Sequence, residues 1–200
     1  AAEKGLIEAY DSPTAKEIPD KYKDPKHYWT GVYVGVLGFC SNQKVLEEKG
    51  LQVPQSWDDL LKPELKGQIS TAHPSTSGTA FTTLWTQVVL GGSENAGLDY
   101  MKKMHANVLQ YTKSGTAPGQ IAGRGEVAVG LVFSHDCVKY RDEGMKDLVV
   151  SFPKEGTGYE IGGVALVKNS KHSEAAKKYI DWAISADAQN LGQTVGSNQI

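Results

Sequence analysis

The stretch QISTAHPSTSGT, residues 68–79, joins a short apolar segment to a loop rich in hydroxyl groups. Residues 68–72 predict a β-strand. The apolar stretch 80–90, which is followed by two glycines, predicts a helix. A strand, a polar loop and a helix in this order form the repeating step of α/β proteins. We therefore expect an α/β fold if the step recurs along the chain.

The same alternation recurs on both sides of this stretch. Residues 32–39 and 127–133 are rich in apolar and β-branched side chains, which predicts two largely buried strands. Helices are predicted over residues 43–49, 96–105, 137–144 and 174–184. Ser170 or Ser173 is the expected cap of the last helix. The sequence therefore predicts the α/β fold class.

The charge balance and the apolar runs exclude two classes of partner. With 21 Lys and Arg against 23 Asp and Glu, the chain has no basic excess that would neutralise the phosphates of a nucleic acid. The longest apolar runs, 32–40 and 127–133, are much shorter than the roughly 20 residues that a transmembrane helix needs. We expect neither a nucleic-acid partner nor direct insertion into a membrane.

The cysteines and histidines predict no metal site and no other cofactor. Cys40 and Cys137 lie too far apart for a CxxC motif, and the five histidines show no i, i+4 pair. An oxidising compartment could join the two cysteines if their Cα atoms came within about 7 Å of each other. Because nothing else in the sequence is built around disulfides, we predict two separate thiols.

The helix that follows the hydroxyl-rich loop predicts an anion-binding site. Unpaired backbone N–H groups and the positive end of the helix dipole favour a negative group, and small hydroxyl side chains add donors. The alternative is an ordinary N-cap, which would explain a single hydroxyl. No Walker A or nucleophile-elbow motif is present. The candidate residues are Ser75, Thr76, Ser77, Gly78, Thr79 and, from a later loop that is otherwise a simple turn, Ser114.

A second candidate site follows the predicted strand 127–133, at Ser134-His135-Asp136. Ligands of α/β proteins bind beyond the carboxyl ends of strands. Adjacent side chains point away from one another and cannot form a catalytic triad, so binding is the better interpretation. We predict that His135, Asp136 and Glu160 bind sugar hydroxyl groups. The alternatives are an Asp136 that only caps the next helix and a solvated charge at Glu160.

Several segments together resemble the substrate-binding proteins of ABC importers, in the two-lobed group that includes ferric-ion, phosphonate and hexose-phosphate binders. The resemblance covers nearly the whole chain and is carried by residues 29–39, 54–61, 65–67, 73–79, 125–130, 161–166 and 175–189. It implies a periplasmic binding protein type II-like lobe, with a mixed sheet flanked by helices. It also implies that the protein is a binding protein and not an enzyme.

The resemblance implies a division of the chain into two parts. Residues 31–165 would form the ligand-binding lobe, and residues 1–30 and 166–200 would be portions of the other lobe and of the hinge. Members of the group are usually longer at both ends. The first seven residues also read as the tail of a helix closed by Gly5. We therefore expect a fragment with an incomplete second lobe.

The resemblance also points to a ligand. Ferric binders of this group carry adjacent tyrosines after the strand that 127–133 resembles, and here His135 and Asp136 take that place. Residues 77–79 and Ser114 match the positions that hold an anion in this group. The implied function is the capture of a phosphorylated sugar for a membrane permease. The implied location is the periplasm, or the outside of a Gram-positive cell with a membrane tether. The alternatives are a ferric-ion, anion or phosphonate binder, and a phosphoester hydrolase using His135 with Asp136.

Overall fold

The computed structural model describes residues 1–194 of the chain, which divide into two compact units. One unit is Val36–Glu160. The other combines Ala1–Gly35 with the residues from Ile161 onward. Both divisions fall within β-strands. That these units are lobes of a larger two-lobed protein stays a prediction.

Strands and helices alternate through most of the chain. The strands are β1 Ile7–Glu8, β2 Thr30–Asn42, β3 Ile69–Ala72, β4 Val108–Thr112, β5 Val129–Phe133, β6 Leu148–Ser151, β7 Tyr159–Val164 and β8 Leu166–Val167. The helices are α1 Gln43–Glu48, α2 Gly78–Gly91, α3 Glu94–His105, α4 Ala117–Gly123, α5 Ser134–Asp142, α6 Ser173–Ala183 and α7 Ala186–Thr194. Short 3₁₀ helices occupy Pro13–Glu17, Asp20–Tyr22, Trp57–Leu61 and Pro63–Leu65.

Strands β3, β4, β5 and β6 of a mixed six-stranded sheet lie wholly in the unit Val36–Glu160, which also holds parts of β2 and β7. Five of its strands follow the order β4-β3-β5-β2-β6, and β7 also pairs with β2. Strand β3 is parallel to β4 and β5, whereas β2 is antiparallel to β5 and β6. The predicted α/β class and mixed sheet are confirmed. Because β3, β4 and β5 run in one direction, the loops that follow them leave the sheet at one edge.

The sheet separates two apolar clusters. All five residues of β5 are buried, as expected for a central strand covered on both faces. Successive side chains alternate between the faces, so Leu131 packs in one cluster with Phe39 and Ile69. Val132 packs in the other, with Cys40.

A disulfide joins Cys40 to Cys137, with their Cα atoms 5.5 Å apart. The prediction of two separate thiols is therefore wrong. The cysteines are 97 residues apart in the chain. They meet because Cys40 lies on the sheet face that α5 covers, a proximity that requires the assembled sheet.

Three predicted helix ends differ from the structure. Helix α5 begins at Ser134, three residues earlier than expected, because Phe133 is its N-cap and the polar residues after it already form the first turn. The last long helix, α6, has His172 as its N-cap, so capping by Ser170 or Ser173 is wrong. Residues 1–5 form turns and not the end of a helix.

The second unit has its own small sheet and cluster. Strands β1 and β8 are antiparallel, with Ile7 opposite Val167. The Asp181 side chain accepts hydrogen bonds from the hydroxyls of Tyr10 at 2.9 Å and Ser12 at 2.5 Å. These bonds join the N-terminal segment to α6.

Candidate ligand-binding site

The sequence-predicted polar residues follow the three parallel strands of the main sheet. Residues 75–77 lie between β3 and α2, and Gly78 and Thr79 are the first residues of α2. Ser114 lies between β4 and α4, and His135 and Asp136 follow β5. The structure therefore places these residues at one edge of the sheet, where α/β proteins bind their ligands. Glu160 comes from β7.

Two of the loops at this edge touch each other. A Cβ atom built on Gly115 would lie 2.7 Å from Ser77 Oγ and would overlap Thr79 Oγ1. The Thr76 hydroxyl donates to the backbone oxygens of His73 at 3.2 Å and Lys113 at 3.3 Å. The loop after β4 thus approaches the first turn of α2 so closely that only glycine fits at position 115.

The first turn of α2 presents the donors that an anion needs. Ser77 is the N-cap and its Oγ accepts from the backbone N–H of Ala80 at 3.3 Å, which leaves its own proton available. Within the described residues, the N–H groups of Gly78 and Thr79 have no acceptor. Helix α2 is 14 residues long, so its dipole adds to the attraction of a negative group.

Ser75 and Ser114 form hydrogen bonds within their own loops, and Thr76 bonds to both loops. Ser75 places both its backbone N–H, at 3.2 Å, and its hydroxyl, at 2.7 Å, on Nδ1 of His73. The Ser75 hydroxyl is therefore engaged with the His73 ring. Ser114 Oγ lies 3.0 Å from Thr116 Oγ1. Their contact with a ligand stays a prediction, and the available donors lie at Ser77, Gly78 and Thr79.

His135 and Asp136 lie in the first turn of α5 and are mostly shielded from solvent. Their side chains are 13% and 15% exposed, and His135 Nε2 lies 3.8 Å from Asp136 Oδ1. The His135 ring stacks on the buried Phe133 ring, with centroids 5.8 Å apart. Phe133 is the N-cap residue, so the alternative in which Asp136 caps the helix is wrong.

Glu160 completes an acidic group with Asp136. Burial raises the pKa of Asp136, although the neighbouring His135 and Lys139 oppose the rise. Burial also raises the pKa of Glu160, and the charge of Asp136 raises it further while His135 lowers it. The two carboxyl groups and the imidazole therefore interact electrostatically, and they offer acceptors that sugar hydroxyl groups can use.

The segment before Glu160 is anchored beside both parts of the site. The backbone oxygen of Gly158 accepts from the N–H of Leu37 at 2.9 Å, and Leu37 lies opposite Phe133 in the sheet. A Cβ on Gly158 would also overlap Thr86 of α2. The segment before Glu160 therefore packs against α2 about two turns after Gly78 and is bonded to β2 next to β5.

Sequence reasoning missed two features of this edge. It considered residues 114–116 only as possible anion donors or as a simple turn, although a glycine can also mark a close backbone approach. It also missed the covalent attachment of α5.

Among residues 1–194, no group of three or more His, Cys, Asp and Glu side chains is arranged to hold a metal ion.

A sheet edge with hydrogen-bond donors in one part and acceptors in another is an arrangement that suits a small polar ligand. The comparison with known families agrees. The chain belongs to the bacterial extracellular solute-binding proteins, a family that it matches over residues 1–195. None of the helices within the described residues is both long enough and apolar enough to cross a membrane.

The periplasmic binding protein AfuA from Actinobacillus pleuropneumoniae, solved with exogenous fructose-6-phosphate bound, has a similar structure. Its TM-score to this chain is 0.90 at 41% identity, and the match covers 100% of this chain and 64% of that one. An uncharacterized protein of Haemophilus influenzae is 42% identical over 204 residues, which cover 99% of this chain and 58% of the relative.

The names of two more distant relatives refer to other ligands. The Fe(3+)-binding periplasmic protein of Serratia marcescens is 25% identical over 94% of this chain and 56% of its own length. A putative 2-aminoethylphosphonate-binding periplasmic protein of Salmonella typhimurium is 27% identical over 94% of this chain and 55% of its own length. The chain thus spans a little more than half of the length of these curated relatives.

Proposed function

We propose that this protein captures a phosphorylated sugar in the periplasm, or outside a Gram-positive cell, and delivers it to the permease of an ABC importer. The observation that carries the proposal is the bipolar site at one sheet edge. Donors at the start of α2 suit a phosphate, and the acceptors around Asp136 suit hydroxyl groups. The likeness to AfuA, solved with a sugar phosphate bound, supports the same ligand class.

The charges fix the orientation of the ligand in this proposal. A phosphate dianion is attracted to the free N–H groups of Gly78 and Thr79 and is repelled by ionised Asp136 and Glu160. The phosphate therefore lies toward α2, and the sugar ring reaches toward α5. No bond of the ligand is broken, so the protein acts as a binding protein and not as an enzyme.

A phosphonate is the second candidate ligand. Its anionic group would use the same donors at Ser77, Gly78 and Thr79, and a relative bears the name of a phosphonate binder. The two candidates differ at His135 and Asp136, which only a polyhydroxyl ligand would need. A ferric-ion ligand would require a different donor set from the hydroxyls and amides at α2.

Isothermal titration calorimetry on the 200-residue chain separates these possibilities. The ligands are glucose 6-phosphate, fructose 6-phosphate, inorganic phosphate, 2-aminoethylphosphonate, ferric citrate and free glucose. We expect the sugar phosphates to bind at least about tenfold more tightly than inorganic phosphate and free glucose, since both ends contribute. Tighter binding of the phosphonate or of ferric citrate would contradict the proposal, as would release of inorganic phosphate from glucose 6-phosphate.

A further inference from the structure

Helix α5, which carries His135 and Asp136, is attached to its unit through few side chains. Of its nine residues, all of which the structure describes, only Cys137 and Tyr140 are buried. Its N-cap, Phe133, makes no side-chain hydrogen bond to the first turn within the described residues. Cys137 and Tyr140 therefore anchor the start of α5 together with the stacking of His135 on Phe133.

The disulfide joins this first turn to the centre of the sheet. Cys40 lies in β2, opposite Gly130 of β5 on one side and Val150 of β6 on the other. Both cysteines are buried, and Cys137 directly follows Asp136 in the chain. Because β2 is paired on both sides, a covalent bond to it leaves the first turn little freedom to move.

Tyr140 connects the same helix to the loop that contacts the anion donors. Its hydroxyl donates to the backbone oxygen of Thr116 at 3.2 Å. A Cβ on Gly119 would lie 2.9 Å from the Tyr140 ring, so the ring packs directly on the start of α4. Thr116 follows Gly115, the residue that touches Ser77. The disulfide thus attaches α5 to the sheet, and Tyr140 attaches it to the loop beside the proposed phosphate donors.

We propose that the Cys40–Cys137 disulfide is a positioning element of the site: it holds His135 and Asp136 at the distance from the α2 donors that a sugar phosphate spans. This inference rests on the proposed function for its ligand, but its structural half, the ordering of the first turn of α5, does not. The bond therefore controls the selectivity for sugar phosphates over inorganic phosphate, in addition to any effect on stability.

We expect this control of selectivity to be lost when the disulfide is reduced. A dithiol reagent such as dithiothreitol transfers two electrons and two protons to the cysteine sulfurs and becomes a cyclic disulfide, while the protein S–S bond breaks into two thiols. Helix α5 then keeps the buried Tyr140 in its second turn and the stacking of His135 on Phe133 in its first turn, but no covalent bond to the sheet. The donors at Ser77 and Thr79 belong to another helix, so we expect inorganic phosphate to bind to them as it does in the oxidised protein.

The first experiment measures amide hydrogen exchange in the ligand-free chain. The double variant Cys40→Ala/Cys137→Ala is compared with the parent, and the dithiothreitol-treated parent gives the same comparison without mutation. We expect exchange in residues 136–141 to accelerate at least about tenfold, and exchange in the first turns of α2 to stay unchanged. The control is Leu60→Ala, a buried residue of the other apolar cluster that destabilises the chain without touching α5.

The second experiment measures the ratio of the affinities for glucose 6-phosphate and inorganic phosphate by calorimetry. We expect the ratio to fall at least about tenfold in the double variant and to stay unchanged in Leu60→Ala. A purely structural role of the disulfide would lower both affinities together and leave the ratio constant.

The outcomes separate this inference from the proposed function. Unchanged exchange in residues 136–141, relative to Leu60→Ala, overturns the inference, as does faster exchange with an unchanged affinity ratio. If the parent itself shows no preference for glucose 6-phosphate, the proposed function fails. The exchange measurement then still decides whether the disulfide orders the first turn. If the double variant does not fold, the dithiothreitol-treated parent supplies both measurements.

Discussion

The hydroxyl groups around the start of α2 differ in their hydrogen-bond partners. Ser77 accepts a hydrogen bond from its helix and keeps its proton for a ligand, whereas the Ser75 hydroxyl is engaged with Nδ1 of His73. Side chains that look equivalent in the sequence therefore have different chemistry. The sequence predicted the cluster correctly as a helix start, but the division of roles depends on the His73 ring, whose position it does not specify.

Ser77→Ala tests the anion donors. We expect it to weaken both glucose 6-phosphate and inorganic phosphate by about 1.5 to 3 kcal/mol, because a hydrogen bond to a charged group is lost. Calorimetry gives both values. The substitution also removes an N-cap, so the matched control is Ser93→Ala, which removes the equivalent cap of α3 and should leave both affinities unchanged. An equal loss of affinity in the control would contradict the assignment.

Asp136→Asn tests the acceptor side. Burial raises the pKa of Asp136, so its ionised form is disfavoured in the folded chain. The parent is therefore stabilised by protonation, and this stability is lost as the pH rises through the raised pKa. We expect Asp136→Asn to raise the thermal stability relative to the parent at pH 7 but not at pH 3, as followed by thermal unfolding.

The same variant should lose affinity for sugar phosphates. An amide pairs less well with hydroxyl donors than a carboxylate does, so glucose 6-phosphate should weaken by about 1 to 3 kcal/mol. Inorganic phosphate should bind equally well or slightly more tightly, because a repulsive charge is removed. An equal loss for inorganic phosphate would mean that Asp136 lies beside the anion and that the orientation is reversed.

At the scale of elements, the loop between β4 and α4 is a structural part of the anion site. Gly115→Ala would drive a methyl group into Thr79 Oγ1, so we expect the loop to move away and both phosphate ligands to bind at least about tenfold more weakly. The control is Gly163→Ala in β7, where the nearest atom to a Cβ would be the Trp29 ring at 3.4 Å, an ordinary contact. Calorimetry measures the affinities of the two variants for the phosphate ligands. Similar affinities in both would show that binding does not need the close approach of this loop to α2.

Strand β3 carries a buried hydroxyl that the fold does not use. Within the described residues, Ser70 Oγ has no hydrogen-bond partner, whereas Ser151 Oγ of β6 donates to the backbone oxygen of Pro54 at 2.6 Å. We expect Ser70→Ala to raise the free energy of unfolding by about 1 kcal/mol and Ser151→Ala to lower it by a similar amount. Denaturant unfolding measures both. A loss of stability in Ser70→Ala would mean that its hydroxyl is bonded.

The elements that the sequence predicted best are those whose environment is uniform along their length. The run 127–133 is apolar throughout because β5 is covered on both faces, and so its strand was recognisable. The start of α5 was not, because Ser134, His135 and Asp136 are polar and read as a loop. The disulfide was missed for a related reason, since β2 and α5 meet only in the folded sheet.

At the scale of the whole molecule, both parts of the proposed site lie within Val36–Glu160, the larger of the two compact units. The formal net charge is only −2, so the overall field neither strongly attracts nor strongly repels a phosphate ester. Selectivity must then come from the local pattern, with donors at the start of α2 and carboxyl groups at Asp136 and Glu160. The resemblance to known families predicted the fold, whereas this pattern of donors and carboxyl groups limits the range of candidate ligands.

A crystal structure of the chain with glucose 6-phosphate tests the bipolar site most directly. We predict phosphate oxygens within about 3 Å of Ser77 Oγ and of the N–H groups of Gly78 and Thr79. We predict sugar hydroxyl groups within the same distance of Asp136 and Glu160. A phosphate group bound at His135, or a ligand seated away from the edge where β3, β4 and β5 end, would contradict the account.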